Sequence, residues 1–171
     1  MRHLLLAVLF LPFSSAFGAL PAPREYRLRL FHTHTLEHLD VVYRRGDVYD
    51  PGALAKLDTF LRDWRADSVK HYDPRLFDLL TDLETAAKQP GAEIDIICGY
   101  RAPATNGMLR SRTSGVARNS LHMQAQAIDI RLPGVPTSRL RDIALALRRG
   151  GVGYYASSDF VHVDVGRVRR W

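Results

Sequence analysis

The chain has 171 residues, 46% apolar and 25% charged, which excludes a disordered polymer and leaves room for one compact domain with its own core. A formal net charge of +6 suits a polyanionic partner: nucleic acid, an acidic membrane surface or a carboxylate-rich wall polymer. The single cysteine, Cys98, excludes an internal disulfide and a four-cysteine zinc site.

Arg2 and His3 precede an apolar stretch from Leu4 to Phe13 and a run of small residues from Ser14 to Ala19, the three parts of a secretory signal. The apolar stretch is short of the roughly 20 residues a membrane span requires, so it reads as a cleaved signal and not an anchor. Residues 1–18 are therefore expected to be signal peptide, and residues 19–171 a single domain with no stable membrane insertion. Cleavage after Ala16 or after Gly18 both suit the small-residue rule. Export, with no basic helix or aromatic stacking motif, argues against a nucleic-acid partner.

Tyr26 to Thr33 and Glu37 to Tyr43 carry alternating and β-branched residues around a polar turn, a β-hairpin pattern. Asp50-Pro51 and Asp73-Pro74 each place a capping acceptor before a proline suited to a first helical turn. Leu54, Leu57, Leu61 and Trp64 then recur at helical spacing, as do Leu76, Leu80, Leu83 and Ala87, and both stripes are expected in the core. Glu93 to Tyr100 reads as a buried strand, with Cys98 a small hydrophobe inside it, and Arg101 to Asn119 as a long polar loop. Ala127 to Leu132 is predicted as a strand, Ser138 to Arg149 as a third helix stopped at Gly150-Gly151, and Phe160 to Val165 as the last strand. Blocks of hairpin, helices and strands predict an α+β fold, with a mainly antiparallel sheet, three helices and an N-terminal hairpin.

The last two strands carry the chemical signal. Ile128, Ile130 and Leu132 share one face of the first, and Val161, Val163 and Val165 one face of the second. The opposite faces then show Ala127, Asp129 and Arg131, and Phe160, His162 and Asp164. His122 lies just before the first of these strands in SLHMQAQAID. Two neutral imidazoles and a carboxylate make a zinc set that leaves a fourth position open for water, the hallmark of a catalytic site. Spacing alone fits equally well a loop histidine and a hydrogen-bonded sheet histidine.

SLHMQAQAIDI resembles the S-x-H-x-x-G-x-A-x-D signature of the zinc D-Ala-D-Ala carboxypeptidase-like peptidases. GGVGYYASSDFVHVDVGRVRRW and CGYRAPATNGMLRSRTSGVARNS are similar to the murein endopeptidase K (MepK) branch of that family, and the resemblance runs from about Arg24 to Trp171. It implies a periplasmic enzyme with one zinc per chain that hydrolyses peptide cross-links of peptidoglycan, with stem peptides as its partner. Trimming of terminal D-amino acids is the alternative activity, and an inactive zinc-bearing wall-binding module the alternative from another class. A monomer is expected.

By the motif, His122, Asp129 and His162 are the metal ligands. Arg101 matches an arginine at the active-site edge that can pair with a substrate carboxylate or steady an oxyanion. Ser120 is expected to order the His122 loop. For the general base, Asp159 holds the position three residues before the last histidine and Asp164 shares the His162 face; Asp164 is preferred. Ala125 departs from the signature, which has glycine there; a positive φ would cost an alanine around 1 kcal/mol, and the turn is expected to survive. His32, His34 and His38 are read as a surface turn and not a second metal site.

Overall fold

The computed structural model describes residues 22–113 and 115–171, so the expected signal peptide lies outside the described residues. Eight strands form one sheet: β1 Glu25–His32, β2 His38–Arg45, β3 Val48–Tyr49, β4 Glu93–Cys98, β5 Ala127–Arg131, β6 Gly151–Tyr155, β7 Phe160–Asp164 and β8 Arg169–Arg170. Their order across the sheet is β3-β2-β1-β4-β5-β7-β6-β8. Among the described residues, only the β1–β4 and β6–β8 pairs are parallel. Four helices accompany them among the described residues: α1 Pro51–Phe60, α2 Arg75–Ala86, α3 Pro103–Arg112 and α4 Thr137–Leu147. The fold is α+β with a mainly antiparallel sheet, as expected, with one helix more than the sequence pattern suggested. Among the described residues, no helix is long and apolar enough to cross a membrane.

One face of the sheet makes the core. Leu28, Leu30, Ile94, Ile96, Ile128, Ile130, Val161 and Val163 are buried together with Leu57, Leu76, Leu80 and Leu83 from the helices and Leu140 from α4. Each fully buried leucine or isoleucine contributes about 1.5–3 kcal/mol to this layer, which includes none of the polar residues of the opposite face.

α1 starts as read: Asp50 accepts from the Ala53 N–H at 3.0 Å, and Pro51 opens the first turn. It ends at Phe60, however, so Trp64 is not a core residue but lies on the following turn, 40% exposed and stacked on His34 at 5.1 Å. The Asp73 carboxylate accepts from the Arg75 N–H at 3.1 Å, so it serves the α2 start one residue later than the Asp-Pro pattern suggests. α4 ends with Arg148 in the left-handed region at φ 53°, ahead of the glycine pair, and Gly151 already belongs to β6. His32 is buried, and its Nδ1 accepts from the His34 and Thr35 N–H groups, each at 3.3 Å. It organises the β1–β2 turn.

Candidate metal centre

Register brings the polar residues together. Cys98 on β4 stands opposite Asp129 on β5, Asp129 opposite His162 on β7, and His162 opposite Gly153 on β6. These four positions form one row across the sheet. A β-bulge between Ile96 and Cys98 sets the first member of that row. Without it, strict alternation would keep Cys98 on the core side with Ile94 and Ile96; the extra residue turns it to the other face. Cys98 is thus not a core hydrophobe: its Sγ and the ligand atoms of His122 and Asp129 all lie within 4.8 Å of one another.

His122 reaches this row from a 3₁₀ turn, Leu121–Gln124. Ser120 Oγ accepts from the His122 N–H at 3.3 Å, the loop-ordering role expected of it. Ala125 closes the turn at φ 53° and ψ 40°, the left-handed region for which the signature keeps glycine. Its N–H still reaches the His122 carbonyl at 3.3 Å, and its methyl is fully buried. The strain of about 1 kcal/mol is therefore offset by roughly 0.8 kcal/mol of methyl burial, and the turn survives.

The tautomers follow from the partners. His122 Nδ1 lies 2.8 Å from the Gly99 carbonyl, which only accepts, so Nδ1 carries the proton and Nε2 keeps a lone pair. Gly99 is itself held close to the end of α1, where a Cβ would sit 2.5 Å from the Leu61 carbonyl oxygen. His162 Nε2 lies 3.2 Å from the Asp164 carboxylate, which leaves the lone pair on Nδ1. The two bare nitrogens are 3.0 Å apart, and Asp129 Oδ1 is 3.2 Å from His122 Nε2 and 2.9 Å from His162 Nδ1. Three lone pairs converge on one buried point. Ligand atoms around a tetrahedral zinc are roughly 3.3 Å apart, so the donor set and its spacing fit such a metal.

Without a metal, the same three atoms hold a proton on His122 in its place. Burial disfavours a charged His122, yet the Asp129 carboxylate and Cys98 sulfur overcome it and raise the pKa to about 10. Burial works against a charged Asp129 as well, yet His122 and His162 hold its carboxyl well below the usual carboxylate range. A pocket that retains a proton so firmly is one that a bound cation would discharge.

Asp164 is fully buried on the far side of His162. It accepts from the Gly151 N–H at 2.8 Å, the Gly166 N–H at 2.9 Å and Arg169 Nη2 at 2.7 Å, besides His162. The structure does not bring Asp159 to the centre. Asp159 stands in the left-handed region at φ 52°, mostly exposed, and its carboxylate engages Thr137 and Arg131. Arg101 is buried beside the row, with Nη2 donating to Cys98 Sγ at 3.4 Å and Nη1 to Asn106 Oδ1 at 3.2 Å.

The centre opens into a cavity of about 980 Å³ whose described lining includes Arg101, Arg112, Tyr155, Phe160, Arg169 and Trp171. Asp129 is the one carboxylate among the described lining residues. Sequence reading gave the three converging residues and Arg101, but missed the aromatic wall and Cys98.

Comparison with known proteins places the chain. Residues 20–171 match the family model described as "Peptidoglycan L,D-endopeptidase MepK". The chain is 40% identical to the "Probable peptidoglycan L,D-endopeptidase MepK" of Haemophilus influenzae, over 97% of this chain and 89% of that protein. It is 42% identical to the "Peptidoglycan L,D-endopeptidase MepK" of Escherichia coli, over 91% of this chain and 85% of that protein, and equally so to the protein of that name in Shigella flexneri. No solved structure matches. With a family model that covers nearly the whole described chain, and relatives matched over most of their length, the chain belongs to the peptidoglycan L,D-endopeptidase MepK family.

Proposed function

We propose that this chain is an exported, zinc-dependent L,D-endopeptidase that cuts peptide cross-links of peptidoglycan in the periplasm. The observation that carries the reading is the convergence of His122 Nε2, His162 Nδ1 and Asp129 Oδ1, mutually 2.9–3.2 Å apart, at the floor of an open basic cavity. These three atoms would hold the metal. The chemistry zinc supplies when bound is a water acidified to a pKa of about 7 and polarisation of the scissile carbonyl.

The chain's own residues do the rest. The Gly99 carbonyl and Asp164 hold the two imidazole rings in place, so neither ring has to turn when the site fills and His122 gives up its second proton. Arg101 and Arg112 give the cavity a positive wall suited to the carboxylates of stem peptides, while the charge of Arg169 is balanced by Asp164. Arg101 is the one beside the triangle, where its guanidinium serves a substrate carboxylate or a developing oxyanion.

Digestion of purified sacculi tests the activity. The mature protein should release cross-linked peptides, seen on separation of the muropeptides, and a chelator should stop it until zinc is restored. Intact cross-links with a zinc-loaded sample would overturn the reading, and release of single terminal D-amino acids would replace it with a carboxypeptidase.

Arg101→Ala should lower turnover by about 10²-fold with zinc content unchanged. Arg101→Lys should recover only part of it, because an ammonium lacks the planar fork that matches a carboxylate. Wild-type digestion by Arg101→Ala would make Arg101 a structural strut for Asn106 and Cys98.

A further inference from the structure

The cavity has a wall that the metal chemistry does not explain. Trp171 runs alongside β6, with its N–H donating to the Val152 carbonyl at 3.2 Å and its carbonyl accepting from the Tyr154 N–H at 3.1 Å. Its indole Nε1 donates to the Tyr155 hydroxyl at 2.9 Å, which fixes the ring as well as the backbone. The ring lies 5.1 Å from that of His162, inclined at 51°, with the Arg169 guanidinium 4.9 Å from its centroid. Tyr155 stacks in turn on Phe160 at 4.5 Å. Even so, Trp171 is 50% exposed, and all three rings line the cavity.

Gly153 makes this arrangement possible. It stands opposite His162 in the register, and a Cβ there would lie 2.6 Å from the indole. The ring is rigid, so any side chain at this position displaces it. A glycine in a strand interior weakens the strand and commonly marks a close approach of this kind. A large aromatic ring is thus held in place beside a proposed metal ligand, half-exposed at the cavity.

We propose that Trp171, backed by Tyr155 and Phe160, is the platform that seats the substrate, an extended peptide bearing small alkyl groups and carboxylates, beside the metal triangle. This rests on the endopeptidase reading above. The aromatic faces take the alkyl groups, and the arginines of the cavity take the carboxylates. Rigid, half-exposed tryptophan offers contact area at little cost in side-chain freedom.

Trp64 is the other tryptophan of the chain and does not line the cavity, so a Trp64→Phe protein reports on Trp171 alone. In that protein, stripped of zinc to prevent turnover, a purified cross-linked muropeptide dimer should shift the emission to the blue and saturate. In the zinc-loaded enzyme, Trp171→Ala should raise KM for the dimer roughly tenfold with kcat and zinc content little changed. Trp171→Phe should restore most of the loss, and Gly153→Ala, which expels the indole, should reproduce it. Unchanged emission together with a wild-type KM for Trp171→Ala would overturn the platform. So would a loss of zinc and kcat at constant KM, which would make Trp171 a prop for His162. If Trp171→Ala does not fold, Trp171→Phe and the emission titration decide. If the zinc-loaded parent leaves the dimer uncut, the endopeptidase reading fails, and the emission change still decides whether Trp171 binds the peptide.

Discussion

His122→Ala, Asp129→Ala and His162→Ala should each reduce sacculus digestion by at least about 10³-fold, to the level of the chelated protein. Each removes one of three lone pairs that meet at a single buried point, and the two that remain make a poor site for a cation. Zinc measured on the same samples should fall from about one per chain toward zero. The fold should persist in all three, because the core on the opposite face of the sheet, from Leu28 and Ile96 to Ile128 and Val161, contains none of these residues. Far-ultraviolet spectra of wild type before and after chelation should therefore superimpose. Full zinc content and full activity in any one variant would remove that residue from the site. Collapse of the chelated protein would instead make the metal a folding element, as in small zinc modules.

The period-two pattern made much of this centre legible. With Ile128, Ile130, Val161 and Val163 on one face, Asp129 and His162 had to share the other, and the register then placed them directly opposite. His122 was legible only through its motif, because a 3₁₀ turn and a hydrogen bond to Gly99, 23 residues away, aim its ring. What was hidden is what breaks periodicity. The bulge before Cys98 reversed its face, and Asp159, left-handed and just ahead of β7, has its carboxylate on Thr137 and Arg131. α3 was read as loop because only Thr105 and Asn106 of its residues are buried, so it shows no apolar stripe, although Pro103 marks its first turn. β6 was read as the stop after a helix. Gly151 and Gly153 are there because Asp164 and Trp171 pack against the strand, a tertiary cause that a local pattern does not record.

Asp164→Asn should weaken zinc binding by roughly 10–100-fold and leave turnover recoverable at high zinc. The carboxylate faces donors only: Oδ1 takes the Gly151 and Gly166 N–H groups and Arg169 Nη1, and Oδ2 takes His162 Nε2 and Arg169 Nη2. With Asn, Oδ1 can keep the backbone bonds, but an NH₂ then points at two other donors. The His162 contact can be rescued only if Nε2 becomes the acceptor, and the proton then moves to Nδ1. That is the nitrogen facing Asp129 and His122, so the lone pair offered to a metal is lost. Arg169 loses its shorter, charge-assisted contact at the same time and keeps only Nη1 on Oδ1 at 3.2 Å, which should lower stability by about 1–2 kcal/mol, less than breaking a fully buried pair because Arg169 is partly exposed. A general base predicts otherwise: a protein that stays zinc-loaded yet turns over 10²–10⁴-fold more slowly at any zinc concentration. Titration of activity against free zinc, with metal content measured on the same samples, separates the two. Asp159→Asn is the control and should digest sacculi at close to the wild-type rate, since its carboxylate faces Thr137 and Arg131. A zinc-saturated but inactive Asp164→Asn would restore Asp164 as the base, and an inactive Asp159→Asn would show that its loop swings toward the metal in the working enzyme.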